Sequence, residues 1–153
     1  MAGIQKVTDS YQSDGVVNVP PIGSTFDATT NDSNKTFTVP GNELWKLNFA
    51  QVVLTTDATV GDRVVTLVIS DSAGNTLATI IAGAVQAASA TVTYTFWGGL
   101  IRETSVVNGE LQSPIPADIY LQGGATLRFY DSAAIAAAAD DMTVSFQYQK
   151  FTV

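Results

Sequence analysis

The closing stretch of the chain alternates without a break. Met142, Val144, Phe146 and Tyr148 fall on one parity, and Thr143, Ser145 and Gln147 on the other. In an extended chain successive side chains point to opposite faces, so this pattern gives a strand with one dry face and one wet face. Similar alternation recurs from Lys35 onward, and several such strands can hide their dry faces only against each other. The expectation is a sheet-on-sheet protein. The chain also has no histidine and no cysteine. It therefore lacks the side chains that most soluble enzymes use for proton transfer, thiol chemistry or transition-metal binding. An architectural or binding role is expected, with no enzyme activity and no cofactor.

A chain of 153 residues suits one domain that buries roughly two thirds of the surface its unfolded form exposes. Such a domain needs no disulfide, so the missing cysteines leave the redox compartment open. Only 14% of residues are charged, and the net charge is −7. That sign repels phosphate backbones and anionic lipid, which argues against nucleic acid and membrane surfaces as partners. The start, Met1-Ala2-Gly3-Ile4-Gln5-Lys6, has no apolar core of signal-peptide length, and no later run reaches the ~18 apolar residues of a membrane helix. Synthesis and use in a soluble, cytosolic setting are expected.

Residues 1–34 are rich in Ser, Thr, Asn, Asp, Gly and Pro, with scattered large apolar residues such as Tyr11, Ile22 and Phe26. They read as an extended N-terminal arm, stiffened at Pro20-Pro21, ahead of a β-sandwich over residues 35–153. Strands are predicted over 35–39, 43–55, 63–70, 76–81, 90–97, 117–121, 126–130 and 142–148. In the second, the apolar phase slips between Trp45, Leu47, Phe49 and Val52, Leu54, which predicts a bulge near Ala50-Gln51. Apolar residues on both faces of 63–70 mark a central or covered strand. The strands 117–121 and 126–130 are expected to pair around Gln122-Gly123-Gly124. The alanine-rich run 133–139, preceded by Asp131-Ser132 as an N-cap, predicts one or two helical turns. Residues 100–116 form a longer, irregular excursion of the kind that often meets partners. About eight antiparallel strands and one short helix suit a jelly roll or another Greek-key sandwich.

With no histidine or cysteine, enzyme designs reduce to carboxylate pairs, but Glu43, Glu103 and Glu110 sit beside turns or in the long loop. Asp and Asn cluster at 27–34, at 57–62 and at Asp140-Asp141, yet none has the spacing of a calcium loop, and turn formation accounts for them. Most aromatics fall on a dry face. Trp97 and Tyr130 are out of phase with their neighbours and are expected to be exposed or to meet another subunit. Together with Tyr11, Pro20, Pro21 and Phe26 of the arm and Arg102 and Glu103 of the long loop, they make up the candidate interface.

Five stretches carry a resemblance: Val39-Pro40-Gly41-Asn42-Glu43-Leu44-Trp45, Asp57-Ala58-Thr59-Val60-Gly61-Asp62-Arg63, Ala84-Val85-Gln86-Ala87-Ala88-Ser89, Gly123-Gly124-Ala125-Thr126-Leu127-Arg128 and Asp140-Asp141-Met142-Thr143-Val144. In order and spacing they resemble capsid decoration, or cement, proteins of tailed bacteriophages. The resemblance covers the chain from Val39 to the C terminus. It implies a jelly-roll protomer, assembled as a homotrimer, made in the host cytoplasm. It further implies that the trimer sits on the outer capsid surface of the virion, where its partner is the major capsid protein. The alternative is a receptor- or glycan-binding module of a phage tail or head fibre, using the same fold with a different exposed surface.

Overall fold

The computed structural model describes residues 21–28, 33–133, 135, 136 and 138–152. Among these it forms ten strands and no helix: β1 (Ile22–Asp27), β2 (Asn34–Thr38), β3 (Glu43–Thr55), β4 (Val65–Ser70), β5 (Thr76–Ile81), β6 (Thr91–Gly98), β7 (Glu110–Ile115), β8 (Tyr120–Gln122), β9 (Thr126–Asp131) and β10 (Asp141–Thr152). They build two sheets packed as a β-sandwich. One runs β1-β10-β3-β6-β7, with β8 also on β3, and the other runs β2-β9-β4-β5. The parity of β10 works as its sequence demands. Met142, Val144, Phe146 and Tyr148 are buried between the sheets, where Phe146 meets Phe37 at 4.8 Å between ring centroids and Trp45 stacks on Tyr148 at 3.9 Å. Such ring pairs add about 0.5–1.5 kcal/mol each beyond the area they bury. The covered strand is also found, since β4 lies between β9 and β5 with Val65, Leu67 and Ile69 fully buried.

The bulge in β3 lies two residues earlier than the sequence predicts. Gln147 is opposite Phe49 and Tyr148 is opposite Leu47, which leaves Asn48 as the extra residue. The small Ala50 takes the inward slot, so Phe49, which the apolar count had placed inside, turns to the outer face opposite Trp97. This bulge lets β3 carry two partners along one side, β6 on Phe49–Thr55 and β8 on Leu44–Lys46.

Three other expectations are corrected. The segment 131–141 has no helix among its described residues. Asp131 ends β9 instead of capping a helix, its Oδ1 accepting the N–H groups of Val64 and Ala133, and Ala136 takes a φ of +50°. Side-chain turn bonds win here because a helix of so few residues does not recover its nucleation cost. The strands around Gln122-Gly123-Gly124 do not pair with each other: β8 joins β3 and β9 joins the other sheet. The glycines carry the chain between layers, with Gly124 at φ +87° and Gly123 so close to the backbone of Gly41 that a Cβ would stand 2.5 Å from its carbonyl oxygen. Finally, the excursion 100–116 contains β7, which runs parallel to β6. A parallel neighbour requires a long crossover, and that is what the chain between Gly98 and Glu110 supplies. Pro114 is tolerated there because β7 is an edge.

Within the span expected as an arm, β1 pairs along β10 from Ile22 opposite Gln149 to Asp27 opposite Val144. Its Gly23 lies against the Tyr148 ring, where any side chain would collide. Residues 1–20 and 29–32 lie outside the described residues.

Candidate interaction surfaces

Buried charge is densest around Arg63. Arg63 is fully buried, and all five of its side-chain N–H donors are used. Nε donates to Asp140 Oδ2 at 2.9 Å, and Nη2 donates to Asp57 Oδ1 at 2.7 Å and Asp140 Oδ1 at 3.2 Å. Nη1 donates to the carbonyls of Thr59 at 2.6 Å and Gly61 at 2.8 Å. The oxygens that made 57–62 and Asp140 look like a cation cluster do converge, and the cation at their centre is a guanidinium. The Arg63 backbone exchanges two hydrogen bonds with Gln86, whose side chain in turn donates to the Leu54 and Ala90 carbonyls and accepts from Tyr94 Oη. Bonds from Thr59 and the Arg63 charge hold the Asp57 carboxyl below its ordinary range. This hub ties the 57–62 loop, the 86–90 loop and the start of β10 together, and the Arg63 and Asp140 side chains at its centre are fully buried.

The outer face of the six-stranded sheet is the opposite case. Register places Thr91, Thr93, Thr95 and Trp97 of β6 beside Thr55, Val53, Gln51 and Phe49 of β3, and these beside Asp141, Thr143, Ser145 and Gln147 of β10. Beyond them come Ser24 and Phe26 of β1. Among the described residues, charged positions on this face lie only at its ends: Asp141 and Glu110 at one, and Lys46, paired to Asp118 at 2.9 Å, at the other. A chain of net charge −7 thus presents one broad face that is nearly uncharged. At its β1 border Ile22 and Phe26 are 61% and 67% exposed.

At the other side of the face, Lys46, Asn48, Trp97, Gly98, Pro116 and Ala117 line a groove of about 350 Å³ over Leu47 and Ile115. Trp97 is 57% exposed there, and Tyr120 stands beside Lys46, whose Nζ is 5.6 Å from its ring centroid. The extra residue of the β3 bulge, Asn48, borders this groove. Among the described residues nothing hydrogen-bonds its amide.

The expected interface residues do not form one site. Phe26 and Trp97 share the outer face but lie three strands apart, about 14 Å at ordinary strand spacing. Tyr130 is on the other sheet, half-buried, with the Arg128 guanidinium 4.3 Å over its ring. Arg102 donates to the Ala82 carbonyl at 3.4 Å, and Glu103 accepts from the Gln112 N–H at 2.6 Å, so the first fastens its loop to the end of β5 and the second fastens it to β7. Pro21 is exposed and its carbonyl accepts from Lys150, while Tyr11 and Pro20 lie outside the described residues. The three glutamates occupy separate places. Glu43 pairs with Lys150 and accepts from Trp45 Nε1, bonds that lower its pKa; Glu103 serves the loop; and Glu110 opens β7. Ile22, Tyr120 and Asn48 were missed as surface residues. The alternation Ile22, Ser24, Phe26 was the available signal for the first of them.

No family model matches this chain, and no curated protein matches it.

Proposed function

We propose that this chain is a structural virion protein of the capsid-decoration kind, which docks on the outer lattice of a phage head and ties neighbouring capsomers together. The observation that carries the reading is the nearly uncharged outer face of the six-stranded sheet, bordered by Ile22 and Phe26 on β1. A broad neutral surface with exposed apolar anchors is the composition of a protein-docking patch, where charged residues are depleted at the centre. The resemblance of the five stretches from Val39 onward supports the same reading and adds a trimeric assembly on the capsid. Many copies on one lattice add their contacts, so each single interface can be modest.

Co-sedimentation with expanded, undecorated capsids of the phage that encodes the chain, in low and high salt, tests this. Saturable pelleting that persists in high salt is expected, because the proposed contact has little charge to screen. No pelleting, or pelleting lost in high salt, would contradict it.

A further inference from the structure

We propose that the groove beside Trp97 binds a neutral pyranose. A sugar ring has an apolar C–H face and a rim of hydroxyls, so its site needs an exposed aromatic platform with donors and acceptors around it. The groove supplies both. Trp97 is 57% exposed on the open side of β6. Around it stand the Asn48 amide, which can donate and accept at once, and the Lys46 ammonium, which holds the exposed Asp118 carboxylate at 2.9 Å at the border of the groove. Asn48 is available because it is the bulge residue, outside the regular alternation of β3. Because Lys46 and Asp118 offset each other, the site has no net charge, which favours a neutral sugar over a sialic or uronic acid. A groove of about 350 Å³ is within the size range of small-ligand clefts. The inference rests on the chemistry of the groove and not on docking through β1.

The test is saturation-transfer NMR and tryptophan emission of the full chain with methyl glucoside, methyl galactoside, methyl mannoside, cellobiose and lactose. Trp45 is buried, so changes in emission report Trp97. At least one of these probes should saturate with a Kd on the order of 1 mM. Trp97→Ala should weaken that binding about tenfold, and Asn48→Ala and Asp118→Ala about threefold each. Trp97→Phe keeps a platform and should retain binding, and Ile22→Ser/Phe26→Ser should leave it unchanged while losing capsid pelleting. No saturable signal with any probe, or a signal unaltered in folded Trp97→Ala, would overturn the proposal. So would a Trp97→Ala variant that loses capsid pelleting when no probe binds the parent, because the groove would then be a protein contact.

Discussion

Arg63 and Trp97 invert the usual placement of their residue types, in opposite directions. A full positive charge sits in the interior with every donor satisfied, while one of two tryptophans stands more than half in solvent. The buried charge is explained from within. Asp140, Asp57 and two carbonyls enclose it, and two loops and the start of β10 are fastened by it. The exposed indole has no such internal account: strand parity turns position 97 outward, but the fold does not call for a large apolar ring there. Strongly polar clusters are therefore a poor guide to function in this molecule, and uncharged exposed surface is the better one.

Asp140→Ala leaves the Arg63 guanidinium buried and half-unpaired, and should cost about 3–5 kcal/mol in denaturant unfolding. If it costs little, the hub is not the fastening described here. Next in size is Gly123→Ala, whose Cβ has no room beside Gly41; overpacking of this kind should cost about 1–3 kcal/mol.

Acid should act through the hydrogen-bonded carboxyls. The carboxyls of Glu43, Asp57 and Asp71 all titrate below their ordinary values of 4.5, 3.8 and 3.8, held down by Lys150, Thr59 and Asn75 respectively as the first cause. A depressed acid contributes stability that is present above its unfolded pKa and is lost as pH falls through the folded one. With no histidine to titrate near neutrality, thermal stability should be level across neutral pH. It should begin to fall only below about 4.5, as unfolded carboxyls start to take up protons. A marked change between pH 6 and 8 would contradict this. Smallest of all, Trp97→Ala should shift stability by no more than about 0.5 kcal/mol, as for other surface changes. A larger loss would mean that the indole belongs to the fold.

Strand parity made most of the sandwich legible. The predicted bounds of β3 and β5 match the structure, and Trp97 was identified as a surface residue because it follows the buried Tyr94 and Phe96 out of phase. What parity could not show was anything set by partners distant in sequence. Asp140 reaches Arg63 across 77 positions, and the inward turn of Ala50 in place of Phe49 depends on what lies across the core. The alanine run was misread because helix propensity is a weak preference, and here Asp131 and Asp140 are both held elsewhere. The groove was only half visible. Its tryptophan was flagged, but Asn48 and Lys46 join it only once β3 is bulged and β8 lies alongside.

The most direct test of the account is capsid pelleting by two surface variants side by side, Ile22→Ser/Phe26→Ser and Trp97→Ala, each shown to be folded. Docking through the β1 border predicts that the first loses saturable binding while the second keeps it. Equal binding by the β1 variant and the parent chain would contradict the account.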